Sequence, residues 1–378
     1  MTRVLNAALA TVAALALSLT FTTGTAEATP AGTPSSATPP SQAGPTAAAP
    51  SKVFAITDRL AGQVAAALAD RAVRDRTVSA TASGPADVLT LEPGTGLGKA
   101  ARTANLAALA AKGLPATGGS VLQVRLAHPD MRAALARGEV PLVAAAPSDD
   151  EPTAVTAYDP LGGKVLLDPV KVPRRPVLVV EVDVAKALPM GLKVMRDALA
   201  ARGVVDAEPA TTLAAGGYWA TKVNAIRLSD DKEPWVKGAA EIYSVVGGFG
   251  LDGTPTVNIV QMPYLDDDGT TYYPNQLLVH FSAYKYNLAD VVMMEDDGDT
   301  NYQQLAQAIA TALLTIVDGG AYTPLVSAII SAIPTSWWTD DPDYVDSWYT
   351  LSTTSSGRLY GAAANGWIDV APYWVSAL

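Results

Sequence analysis

An α+β N-terminal domain, residues 52–213, followed by an acidic, β-rich and β-sandwich-like C-terminal domain with two packed helices, residues 218–378, is the fold class that the sequence predicts. Three observations carry it. Composition changes near "AAGGYW", Ala214 to Trp219: residues 1–217 hold 20 basic and 18 acidic side chains, residues 218–378 hold 6 and 19, and all seven tryptophans lie in the second part. Apolar residues recur at helical spacing early in the chain, whereas they alternate at period two after residue 218. Clusters of Gly, Pro and Asp separate the alternating runs, which is the punctuation of antiparallel sheets.

In chain order, "MTRVLNAALATVAALALSLTFTTGTAEA" has one basic residue, Arg3, an apolar run from Leu5 to Leu19 and the small-x-small triplet Ala26-Glu27-Ala28. It reads as a secretory signal peptide, residues 1–28, cleaved near Ala28, so the expected location is extracellular. Residues 29–51 are an uncharged Pro/Ala/Ser/Thr leader up to Ser51, with too little to bury to offset the entropy of ordering it.

The α+β domain opens with Val53, Ile56, Leu60, Val64 and Leu68 at helical spacing, and a second helix is expected over 98–112. Strand-like runs follow in "SVLQVRL", "VPLVAAA", "TAVTAYD", "KVLLD" and "PVLVVEVDV", before a helix "MGLKVMRDALAARG" that stops at Gly203. The "GTGLGKA" stretch is not a phosphate loop, because Pro93 stands where its first glycine belongs and Ala100 where Ser or Thr does.

The second domain alternates in "KVNAIRL", "AAEIYSVV", "TVNIVQM", "QLLVHFS" and "LADVVMM". Thr300 and Gln303 fit a capping box before Leu305, Ile309, Leu313 and Ile316, and Thr323-Pro324 opens a second helix. An aromatic strand region closes the chain. Both helical runs are uncharged, yet Pro324, Pro334 and polar residues interrupt the second, so packed helices are expected and stable membrane insertion is not.

Charge and residue types narrow the chemistry. The chain has a net charge of -11, no cysteine and only two histidines, His128 and His280. Disulfides, thiolate zinc sites and cysteine nucleophiles are excluded, and so acidic a surface argues against nucleic acid. The abundant ligands are carboxylates. They cluster in "SDDKE" (Asp230, Asp231, Glu233), "DDDG" (Asp266, Asp267, Asp268) and "EDDGD" (Glu295, Asp296, Asp297, Asp299). If consecutive strands run antiparallel in one sheet, these loops follow the first, third and fifth strands and converge on one rim. Such convergence calls for a counter-ion, and calcium, which takes six to eight oxygens from flexible loops, is the expected cofactor. Neither glycine-containing loop has the EF-hand spacing.

The blocks "PLVAAAP", "TAVTAYDPLGGKVLLDPVKVPRRPVLVVEVD" and "KVNAIRLSDDKEPWVKGAAEIYSVVGG" resemble a bacterial secreted family catalogued only as domain of unknown function 3103, over about Val121 to Val317. That resemblance implies no activity. The pattern "IRLSDDKEPWVKGAAEIY" is also similar to the first strands of calcium-dependent β-sandwich modules, an analogy of fold alone.

Ser282-Ala-Tyr-Lys285 matches a Ser-x-x-Lys pattern without its companion motifs, and both histidines read as structural. The strip "SWWTDDPDYVDSWYT" joins Trp337, Trp338 and Trp348 to Asp340, Asp341, Asp343 and Asp346. Indole planes stack on sugars and paired carboxylates cleave glycosides. The functional expectation is therefore a secreted calcium-ligating binding or structural module with a cell-envelope or carbohydrate partner. A carbohydrate-binding module or glycoside-active enzyme using the C-terminal strip is the alternative.

Overall fold

The computed structural model describes residues 51–148, 152–204, 216–230, 235–238, 240–296, 298–333 and 344–376. The expected signal peptide, and the leader up to Pro50, lie outside the described residues.

Helix α1 (Lys52–Ala67) forms where the apolar spacing predicts it: Ser51 accepts the Phe54 N–H at 2.9 Å, and Val53, Leu60 and Val64 are buried. Helix α2 (Arg71–Thr81) has no sequence expectation behind it, because only Thr77 and Thr81 are buried; the Asp70 carboxylate, which accepts the Ala72 and Val73 N–H groups, starts it. Strand β1 (Ala86–Asp87), the short α3 (Val88–Leu91) and α4 (Gly96–Ala111) follow, α4 beginning two residues before the expected helix because Thr95 caps Gly98.

Strands β2 (Leu122–Leu126), β3 (Leu142–Ala145), β4 (Val155–Tyr158), β5 (Lys164–Leu167) and β6 (Val177–Val182) then form with β1 a sheet of order β1-β2-β6-β3-β4-β5; the one-turn α5 (Arg132–Ala136) lies between β2 and β3. Every pair is antiparallel except β3 with β6. Helix α6 (Val184–Ala200) starts six residues before the expected "MGLKVMRDALAARG". In the structure Asp183 caps the earlier start and Pro189 sits inside, so the Ala185 carbonyl loses its helical donor.

The later half contains β7 (Tyr218–Leu228), β8 (Ile242–Phe249), β9 (Pro255–Gln261), β10 (Gln276–His280), β11 (Leu288–Glu295), α7 (Tyr302–Leu313), α8 (Val326–Ala332), β12 (Tyr344–Ser352), β13 (Gly357–Tyr360) and β14 (Gly366–Val375). These strands make two antiparallel four-stranded sheets, β10-β7-β14-β13 and β12-β11-β8-β9. The single meander of consecutive neighbours is therefore corrected: β7 pairs with β10 and β14, and β8 begins the other sheet. Alternation reports which face of a strand is buried and says nothing about its neighbour. Likewise Asn301, not Thr300, caps α7 by accepting the Gln304 N–H, and α8 begins at Val326 after Leu325.

Val223, Ile226, Ile368 and Val370 from one of these sheets and Ile242, Val246, Val291 and Met293 from the other share a buried cluster. The opposite face of β8 and β11, with Tyr243, Val245, Val292 and Met294, joins α1, α4, α6, α7, α8 and the face of the first sheet that carries Leu178 and Val180 in a larger core. The order of layers is sheet, sheet, helices, sheet. A third cluster covers the far face of the first sheet with Val236 and Trp235. Among the described residues no helix is long and apolar enough to cross a membrane. The protein is a mixed α+β structure, with eight helices and fourteen strands in three sheets among the described residues.

Candidate functional site

The acidic segment after β11 is docked, not splayed. Lys112 follows α4 and is fully buried, and its ammonium lies 3.1 Å from Asp296 Oδ1 and 2.8 Å from the Gly298 carbonyl. Asp296 also accepts the Tyr302 hydroxyl and the Gly298 N–H. Burial, and then the Asp296 carboxylate, push the Tyr302 phenol far above its ordinary pKa, so it stays a donor. Asn301 ties the same segment to α4, donating to the Ala111 carbonyl at 2.7 Å while its oxygen caps α7.

Beside this network lies a cavity of about 450 Å³. Several elements build it, Asp87 of β1 among them. Helix α1 contributes Phe54 and Thr57; β2 contributes Gln123 and Arg125; the β6–α6 junction runs from Glu181 to Lys186; the segment before β8 brings Lys237, Gly238 and Glu241; and the segment before α7 brings Asp296, Gly298 and Asp299. Ala146 and Pro147, just past β3, complete one wall, so the cavity opens where the parallel pair β3 and β6 both end. Carboxyl ends of neighbouring parallel strands followed by a helix N-terminus are a recurrent place for ligands.

Several lining charges are held in place by the fold. Arg125 grips Glu181 through two contacts, Nε to Oε1 at 2.7 Å and Nη2 to Oε2 at 2.8 Å, Gln123 donates to the same carboxylate, and Arg125 also donates to the Val236 carbonyl. That last bond, with Trp235 Nε1 donating to the Asp168 carbonyl, fastens the segment after β7 to the first sheet. Asp183 caps α6 and pairs with Lys186, while Asp87 caps α3 and accepts the Ser120 hydroxyl. Glu241 and Asp299 enter from the two segments flanking β8 and α7, which meet where the Asp296 N–H donates to the Glu241 carbonyl.

The sequence-predicted ligands are dispersed. Glu295 is the last residue of β11 and is fully buried; Asp296 and Asp299 line the cavity. Asp266, Asp267 and Asp268 are exposed on a turn whose Gly269 N–H reaches the Leu228 carbonyl; partial desolvation by neighbouring groups and then the Asp267 carboxylate raise the Asp266 carboxyl above its usual range. Asp230 is exposed, its backbone clasped by the Asn365 side chain. Asp231, Glu233 and Asp297 lie outside the described residues. Among the described residues no three His, Cys, Asp or Glu side chains come together closely enough to hold a metal ion.

Two residues of the aromatic and acidic strip have structural work. Trp348 is buried between the two later sheets and donates to the Leu359 carbonyl. Asp346, also buried, accepts the N–H groups of Ser347, Ala363, Asn365 and Gly366 at 2.8 to 3.0 Å. Trp337, Trp338, Asp340, Asp341 and Asp343 lie outside the described residues. Of the other singled-out groups, Lys285 pairs with Asp318, His128 caps a short turn, and His280 meets the Tyr218 hydroxyl.

Sequence reasoning missed Lys112, Arg125, Glu181, Lys186, Lys237 and Glu241. One signal was present: a lone Glu in "VLVVEVDV" is a charge in a strand otherwise fit for full burial, which demands a partner.

A family model described as Protein of unknown function (DUF3103) matches residues 58–377. No curated protein and no solved structure matches the chain.

Proposed function

The chain belongs to the family described as Protein of unknown function (DUF3103), and from that premise we propose that it is a binding protein whose cavity takes a small organic molecule carrying an amine. One observation carries the proposal: six carboxylates (Asp87, Glu181, Asp183, Glu241, Asp296, Asp299) and three cations (Arg125, Lys186, Lys237) line one cavity. The α6 N-terminus adds roughly half a positive charge and the buried Lys112 offsets Asp296, which still leaves the lining net negative. Size decides between ligands. The cavity of about 450 Å³ falls in the range of small-molecule sites, about 300–1,000 Å³, and is far larger than a bare ion needs. The extracellular setting belongs to the same proposal and rests on the signal-peptide pattern of residues 1–28.

Calorimetric titration of the full chain with agmatine, putrescine and arginine, and with glutamate as the control, tests it. At least one amine should bind and glutamate should not. Glu241→Gln together with Asp299→Asn should weaken binding about tenfold or more, about 1.4 kcal/mol, without lowering the melting temperature. Binding that these variants leave unchanged, or none to any amine, rejects the proposal.

Calcium ligation by the acidic loops is the second reading. What favours it is register: Gln261 at the end of β9 and Met294 near the end of β11 both oppose Tyr243 at the start of β8, so loops two and three leave the same end of the sheet. Millimolar calcium should then raise the melting temperature, by binding worth about 2.7 kcal/mol at a hundredfold excess over Kd. Magnesium should do less, and Asp231→Asn with Asp297→Asn should erase the difference. A melting curve indifferent to calcium and chelator excludes metal and leaves the amine proposal standing.

A further inference from the structure

We propose that β5 is a docking edge that takes up one extended strand of an acidic partner protein. Strand β5 ends the sheet order and pairs through Lys164–Leu167 with β4 alone, so among the described residues no strand occupies its other side. An open row of backbone N–H and C=O groups is a template for strand addition. Natural edges are blunted by shortness, charge and proline, and Lys164 and Pro169 fit that habit. The apolar surface does not. Leu161, Leu166 and Val170 are 86%, 72% and 87% exposed, three large apolar side chains within ten residues. Val165 and Leu167 pack toward the core, and alternation leaves Leu166 on the face that Thr156 and Tyr158 continue. An incoming strand would set an apolar residue over that face.

Charge selects the occupant. Residues 159–175 hold four basic and two acidic side chains in a chain of net charge -11. Asp159 is engaged by Arg175 at 2.6 Å and Asp168 accepts the Val170 and Lys171 N–H groups, while Lys164, Lys171 and Arg174 are exposed. A second copy of this chain paired edge to edge would set these cations against their equals. A strand alternating carboxylates with apolar residues satisfies both the charge and the exposed face.

The probe is a short fluorescent peptide alternating Glu and Val, compared with its Lys/Val counterpart and with a version N-methylated along one edge, titrated into the full chain. The Glu/Val peptide should bind about tenfold tighter than the Lys/Val peptide or better. N-methylation should abolish binding, and hydrogen exchange at Val165–Leu167 should slow in the complex. Leu166→Asp should remove binding with an unchanged melting temperature. Absence of binding overturns the proposal, as does equal binding of the N-methylated peptide. So does a concentration-dependent dimer that Leu166→Asp disperses, which would make a second copy the occupant.

Discussion

At the scale of single residues, the molecule uses carboxylates as internal fasteners. Lys112 and Asp296 are both fully buried, so each charge depends on the other. Lys112→Met should cost about 3–5 kcal/mol in urea unfolding, because it strands Asp296, whereas Lys112→Met with Asp296→Asn should recover much of the loss. A single variant within experimental error of the parent would mean that the pair carries no stability. Asp318 behaves differently. Lys285, the Tyr286 hydroxyl and the Gly320 N–H hold its carboxyl down at about 2. The unfolded value is about 3.9, so its contribution is complete above that pH and is lost as pH falls toward the folded value. Asp318→Asn should therefore flatten stability between about pH 4 and 2 relative to the parent. Parallel acid limbs in the two unfolding series would contradict this. Asp290 is a third fastener, buried on β11 and accepting from the Tyr322 hydroxyl, the Leu325 N–H and Thr350.

At the scale of elements, caps decide where helices begin, and they do so with residues that join distant segments. Asn301 caps α7 and donates to the C-terminal carbonyl of α4, and Gly113, at φ 67°, has the Asn301 side chain where a Cβ would go. Asn301→Ala loses a cap and a tertiary hydrogen bond, about 1 kcal/mol each. Denaturant unfolding should show a loss near 2 kcal/mol, with Gly113→Ala also destabilising. On β12, Trp348→Ala should cost about 3–5 kcal/mol through the cavity left between the two sheets. Retention on a polysaccharide column should not change. A stable variant that loses retention would return Trp348 to a sugar site. The spacing in the sequence located α1, α4 and α7 to within a few residues, because one buried stripe writes a helical period. It did not show α2, whose buried residues are two threonines, or the start of α6, whose internal proline imitates a boundary.

At the scale of the whole molecule, the helices lie between sheets drawn from both halves of the sequence, and Leu178 and Val180 share one core with Val245 and Met294. Breaking that core exposes apolar faces on both sides at once, so urea unfolding followed by tryptophan fluorescence and by far-UV dichroism should give coincident transitions, although all seven tryptophans lie after residue 217. Separated midpoints would show that the halves unfold independently. Local pattern by itself determined the absence of thiol chemistry, the acidic second half, most strands and the principal helices, since these follow from composition and from periods of 2 and 3.6 residues. Tertiary structure decided which strands are neighbours, which carboxylates face the cavity and which are consumed by buried partners. Lys112 and Asp296 lie 184 positions apart in the chain, and nothing within a window of either encodes the other. Their pairing exists because burying one charge is tolerable only where the packed fold delivers its counter-charge.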